Sequence, residues 1–255
     1  MNYKKMKTFM SILAMVEMEL RRVWHDPVEI ITRAVQPVLW VTVFSVVMAH
    51  RVNLGVQDYT SFIAPGVVFQ SATFIALAYG IMMVFERESG VLKRLLSSPI
   101  PRANIVIGRT LAGSVRASTQ YIIVLASAAL VSAKLTDNPL LLIAGYVIVV
   151  YASIGFTAIS ILLASVMKTR ERFMGIMGAI SMPLFFTSSA LYPISIMPKL
   201  LQVVALFNPL TYAVNALRDL VLYDKLNILM DLLALTIFNV FFLAIAIKEL
   251  NKIIE

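Results

Sequence analysis

The chain has 255 residues, of which 60% are hydrophobic and 14% charged, against roughly 25% charged in a soluble domain. With no cysteine and only His25 and His50, it has no disulfide framework, no thiolate nucleophile and little that could hold a transition metal. A formal charge of +8 fits either a nucleic-acid binder or a membrane protein whose basic residues mark one face, and the placement of the charges separates the two.

Residues 1–27 place Lys4, Lys5 and Lys7 ahead of an apolar run that superficially looks like a secretory signal but has no cleavage site after it. Phe9, Leu13, Val16, Leu20 and Val23 step by four and three. Lys7, Ser11, Glu17, Arg21, Arg22 and His25 supply a polar side, which predicts a helix lying in the membrane interface and ended by Asp26-Pro27. Residues 28–49 are long enough to span the ~30 Å hydrocarbon core, with Arg33 expected to snorkel to the headgroups and Gln36-Pro37 interrupting the run. A polar hairpin with Arg51 and Asp58 leads to a second span, 61–85, whose Pro65-Gly66 reads as a packing kink.

Residues 86–109, ERESGVLKRLLSSPIPRANIVIGR, are the longest internal charged segment. Leu92, Leu95 and Leu96 recur at helical spacing with Lys93 and Arg94 between them. They predict a short amphipathic helix, loosened at its start by Gly90 and stopped by Ser97-Ser98-Pro99. A solvated loop is the plainer reading of the same residues. A short third span follows at 117–133, with Arg109 and Arg116 at its near end. The fourth, 140–167, carries Gly145, Ala152, Gly155, Ala158 and Ser160, small residues that let helices approach closely. A basic loop, 168–172, precedes a fifth span at 173–191. Residues 192–228 hold two apolar pieces, 194–207 and 210–222, separated by Asn208-Pro209; neither is long enough to span, which predicts a re-entrant hairpin. A last span at 229–247 ends in a polar tail, 248–255.

The expected fold is therefore an all-α polytopic membrane protein with six spans in a transmembrane domain, 28–247. Sixteen of its 22 lysines and arginines fall in 1–27, 86–116, 168–172 and 248–255, and five in the opposite loops. That asymmetry predicts cytoplasmic termini and explains the basic excess as topogenic, with no nucleic-acid partner.

No ionisable residue stands at mid-span, where a driving ion or proton would be handled. The polar candidates for a translocation path are neutral: Gln70, Thr73, Gln120, Thr157 and Ser160, with Phe185 beside them. They suit a bulky lipophilic substrate more than an ion, although interhelical hydrogen bonding accounts for the same residues. The nearest approach to a phosphate-binding loop, GRTLAGSV at 108–115, has Ser114 where the lysine is required. No catalytic constellation can be drawn, so neither an enzyme nor a bound cofactor is expected.

Four segments together resemble the permease subunit of type-2 ATP-binding-cassette exporters, the group of the daunorubicin-resistance and nodulation permeases. DPVEIITRAVQPVLWVTVF resembles the opening of the family's first span and FIAPGVVFQ that of its second. The 86–109 segment resembles its coupling region through Glu86, Glu88, Gly90, Leu95, Pro99, Arg102 and Gly108. LYPISIMP and LFNPLTYAVNALRDLVL resemble its outer hairpin through Pro193, Pro198, Asn208, Pro209, Tyr212 and Arg218. The chain departs from the family at Ser188-Ser189, where Ser-Gly is usual, and at Asn215, where an acid is frequent. The resemblance implies a six-span subunit of the cytoplasmic membrane that dimerises and is driven by two ATP-binding subunits, with ATP and magnesium on those partners. Leu92, Leu95 and Leu96 would fill a groove on the ATPase while Glu86, Glu88, Lys93 and Arg94 orient it. An ion-coupled carrier and a membrane scaffold are the rival classes.

Overall fold

The computed structural model describes residues 3–49, 58–97, 100–167 and 169–252. Its helices, in chain order, are α1 (Tyr3–His25), α2 (Pro27–Leu39), α3 (Ser45–Ala49), α4 (Tyr59–Ala78), α5 (Ile81–Glu88), α6 (Val91–Leu96), α7 (Arg102–Leu130), α8 (Pro139–Val166), α9 (Arg170–Phe186), α10 (Lys199–Phe207), α11 (Pro209–Val221) and α12 (Leu229–Lys252). There is no strand among the described residues.

Four helices start where the sequence supplies an Asx cap. Asp26, Asp58, Asn138 and Asn208 accept backbone N–H groups at the starts of α2, α4, α8 and α11, satisfying donors that the first turn leaves without partners. Proline follows the cap in α2, α8 and α11, where its missing N–H costs nothing. The Gln36-Pro37 interruption is absorbed by a π-helical turn, Trp40–Phe44, which joins α2 to α3.

At the centre α4, α7 and α8 pack on one another, with α11 and α12 against α8 and α1 laid along α7. Phe69, Val124, Phe156 and Leu217 anchor the main core. The small residues of α8 are buried as expected, and the Phe238 ring of α12 sits where a side chain on Gly155 would have to be.

Among the described residues four helical stretches are long and apolar enough to cross a membrane: Val28–Ala49, Tyr59–Glu88, Pro139–Val166 and Leu229–Leu250. A fifth arises only if α10 and α11, bent by 82°, count as one. The stretches expected at 117–133 and 173–191 do not pass. α7 spends its first half on Arg102, Arg109 and Arg116, which leaves only Ala117 to Leu130 free of charge. α9 has 17 residues, opens on Arg170, Glu171 and Arg172, and stops at Phe186. Its continuation turns back through Ser188 and Ser189.

The apolar stripe read for α1 is also redistributed. Val16 and Val23 are half-buried, but Leu13 and Leu20 are exposed and Glu19, 1% exposed, is the most buried of the described α1 side chains. In an apolar surround both faces of a helix can be hydrophobic, so periodicity does not name the inward one.

Candidate functional site

The segment around residues 80–100 is built on a broken helix. α4 and α5 separate at Tyr79-Gly80, and Ser160 of α8 fills the break. Its hydroxyl accepts from the Gly80 N–H at 2.7 Å and donates to the Leu77 carbonyl, so both groups are resatisfied by one side chain. A side chain on Gly80 would collide with Ser160, which is why the break carries glycine.

Two ion pairs and a fork of hydrogen bonds then fix the base of the loop. Glu86 pairs with Arg109 of α7. Glu88 accepts from Arg170 Nε at 2.7 Å, and the Arg170 guanidinium stacks 3.7 Å from the centre of the Phe85 ring. Arg87 donates to the carbonyls of Ser165, at 3.0 Å, and Met167, at 3.4 Å, closing the end of α8. Gly90 follows in the left-handed region, φ 75°, with open space around it. Glycine there is demanded by the backbone, not by a neighbour.

That turn aims α6. Lys93 and Arg94 are exposed, Val91 is 48% exposed, and Leu92 is 1% exposed. Leu92 packs into a second core with Met83, Val84, Ile105, Val106 and Phe173. The expectation that it fills a partner's groove is therefore corrected: it ties α6 to this chain's own bundle. Leu95 is half-buried on the same core and lines an apolar groove of about 400 Å³ together with Met15, Met18 and Met82. The Leu96 side chain and Pro99 lie outside the described residues. Arg102 opens α7 behind the loop.

The six path candidates divide. Gln70, Thr73 and Phe185 meet at one narrow crevice between α4 and α9, where Gln70 Oε1 and Thr73 Oγ1 have no hydrogen-bond partner. Gln120 is buried elsewhere, beside Glu29, Arg33 and Arg116, also with an unpartnered Oε1. Thr157 donates to Ser153 O within α8 at 2.8 Å and packs on Gly113, and Ser160 serves the helix break. Those two hold the bundle together.

In the hairpin region Asn208 sets the bend. Its Oδ1 accepts from the Leu210 N–H while its Nδ2 donates to Leu184 O at 2.7 Å and Thr187 Oγ1 at 3.0 Å, binding the corner to the end of α9. Pro209 begins α11, and Tyr212 donates back to Leu206 O at 2.6 Å. Pro193 precedes the short turn that leads to α10, whose Leu200 and Phe207 are largely exposed. Arg218 of α11 is 6% exposed; it donates to Phe62 O at 3.2 Å and Ser189 O at 2.9 Å, and its guanidinium lies 3.8 Å over the Phe62 ring.

Sequence reasoning missed a buried charge cluster. Arg116 of α7 pairs at once with Glu19 of α1 and Glu29 of α2, while Arg22 lies 3.6 Å from Glu19 and Arg33 lies 2.8 Å from Glu29. Arg33 thus pairs within the protein, where snorkelling was expected. The sequence offers only the local Arg22, three residues on, as a partner for Glu19, whereas its main partner lies 97 residues away. Among the described residues no cluster of His, Asp or Glu could hold a metal.

The ABC-2 type transporter family model matches residues 10–222. The transport permease ycf38 of Porphyra purpurea is 31% identical over 213 residues, covering 82% of this chain and 72% of the relative. The daunorubicin resistance ABC transporter permease protein DrrB1 of Streptomyces coeruleorubidus is 25% identical over 77% of this chain and 69% of its own length. Nodulation protein J of Rhizobium leguminosarum bv. trifolii is 26% identical over 79% and 77%.

Proposed function

The chain belongs to the ABC-2 type transporter family, whose members are membrane transport subunits, and on that premise we propose that it is the permease of an ATP-driven exporter. Separate ATP-binding subunits, carrying the ATP and magnesium, would supply the energy, and the cargo would be a lipophilic or amphipathic molecule such as a drug, lipid or glycolipid. Daunorubicin, doxorubicin and nodulation appear in the names of the relatives and come to this chain only as a substrate class.

The observation that carries the reading is the geometry of α5 and α6. A short basic helix projects Val91, Lys93 and Arg94 outward from a base fixed to α7, α8 and α9 by Glu86–Arg109, Glu88–Arg170 and Arg87. A lever needs a rigid root, and this one is rooted in three helices. On the same reading α7 and α9 complete six spans, α1 lies in the interface, and both termini face the cytoplasm across the cytoplasmic membrane. A second copy of the permease would cover α2, where Gln36 stands exposed on a face otherwise made of Val35, Leu39 and Val43. An unpaired amide is costly against lipid and inexpensive against a protein partner.

The test is co-purification. Val91→Asp places a carboxylate at the exposed apolar position of α6 without touching Leu92. It should release the ATPase or abolish substrate-stimulated turnover, whereas Arg94→Ala, at a wet rim, should do much less. Full retention and normal stimulation in Val91→Asp would remove the coupling role. Transport that runs on an ion gradient without a second protein would establish the carrier class instead. Orientation is checked separately. The chain lacks cysteine, so a single cysteine at Ser97 should be shielded from an impermeant thiol reagent in intact cells, and one at Lys199 should react.

A further inference from the structure

Opposite the basic loop, where α4 and α12 begin and α11 ends, lies a cavity of about 390 Å³ whose lining includes Arg218, Asp219, Asp231, Asn215 and Ser189. Its chemistry is unusual for an apolar bundle. Arg218 is buried and still has Nε without a hydrogen-bond partner. Its other contacts, the carbonyls of Phe62 and Ser189 and the face of Phe62, are neutral. Asp219 and Asp231 share the cavity, and among the described residues neither makes an ion pair with Arg218 or with any other group. Asp219 acts on Arg218 through space without touching it, and a buried charge with no contacting counter-charge is retained at a cost in stability that falls when a ligand supplies the contact.

The sign of the lining decides what that ligand is. An anion alone would be drawn to Arg218 and to the Asn215 amide but repelled by two carboxylates. A cation alone would be drawn to the carboxylates and would leave Arg218 unpaired. A group carrying both charges answers each wall at once. Asn215 holds its Oδ1 against the Ser189 hydroxyl at 2.8 Å, which leaves its N–H groups as donors for the anionic part.

We infer that this cavity binds a zwitterionic polar group, with a phosphate or carboxylate on Arg218 and Asn215 and an amine on Asp219 and Asp231. The group can belong to a lipid headgroup or to a small free zwitterion; the recognition chemistry is shared. The site is independent of the coupling loop and of any ATPase, so it stands or falls apart from the exporter reading.

Ile194 lies on the cavity wall, and in this cysteine-free chain Ile194→Cys gives a single reporter whose rate of maleimide labelling can be followed in detergent without an ATPase. Phosphoethanolamine and dihexanoyl phosphatidylethanolamine are the zwitterionic probes; inorganic phosphate and ethylamine are the single-charge controls. At a probe concentration about ten times its dissociation constant, a zwitterion should slow labelling about tenfold, and either control alone should leave the rate unchanged. Protection by both zwitterions assigns the headgroup chemistry itself, and protection by the short-chain lipid alone assigns a lipid. Asp231→Asn, a half-buried residue with no partner to orphan, should abolish protection while a Ser97→Cys reporter in the same background labels at its usual rate. Protection by phosphate as strong as by the zwitterions would overturn the proposal. So would protection that survives Asp231→Asn, or none from any probe.

Discussion

The two ends of the bundle treat buried charge in opposite ways. At the loop end Arg116 meets Glu19 and Glu29 and Arg109 meets Glu86, each link joining separate helices. At the hairpin end Arg218 is buried as deeply and meets two carbonyls and a ring. Paired charges in a dry place make a joint that resists being pulled apart, because separating them exposes both to the desolvation cost. An unpaired charge makes a position with unspent affinity. The first arrangement suits the transmission of force, the second the reception of a ligand.

The largest effect should come from breaking the loop-end cluster. Arg116→Ala leaves Glu19, 1% exposed, with only the half-exposed Arg22 at 3.6 Å, and removing one member of a buried pair costs about 3–5 kcal/mol. Thermal unfolding in detergent should show a large loss, most of it recovered when Glu19→Gln and Glu29→Gln are combined with Arg116→Met. A neutral Arg116→Ala would mean that this end is not held by charge, and the contrast between the ends would fail. A smaller effect is expected at Gly90. Alanine fits the space but not φ 75°, a conflict of about 1–2 kcal/mol. Gly90→Ala should therefore lower stability modestly and reduce ATPase co-purification by re-aiming α6, while Gly90→Asn, which tolerates the left-handed region, should keep most of both. The smallest is Glu88→Gln. Its pair with Arg170 is 36% and 44% exposed, and pairs so exposed contribute less than about 1 kcal/mol. Its melting curve should nearly superimpose on that of the wild type, with the Arg170–Phe85 stacking holding the position.

Much of the fold was legible because its punctuation is local. Asp26-Pro27, Asn138-Pro139 and Asn208-Pro209 each cap a helix from one side chain, and apolar runs long enough to cross a bilayer announce themselves by length. Other features were hidden for physical reasons. The Arg116 cluster joins positions 87 and 97 residues apart, and nothing in the chain pairs them. Leu92, Leu95 and Leu96 form a stripe that identifies an apolar side without saying whose core it enters, and for Leu92 it is this chain's own. Ser160 and Thr157 were grouped with Gln70 as polar residues in spans, yet one repairs a broken helix and the other bonds within α8, while Gln70 and Thr73 are left without partners. Polarity in an apolar span is visible in a sequence; whether it is already satisfied is not.

The joint at Gly80 has a mechanical meaning. An unbroken helical ladder from Tyr59 to Glu88 would carry any displacement of its loop end straight along its own axis. At Tyr79-Gly80 the helical ladder opens without a sharp bend, and Ser160, tied to both lips, joins that point to α8. α8 in turn touches α4, α7, α11 and α12. On the proposed coupling role, a push on α5 would reach those four helices through α8. One hydroxyl group closes the joint, and beyond it the Arg87 fork ties α5 to the end of the same helix.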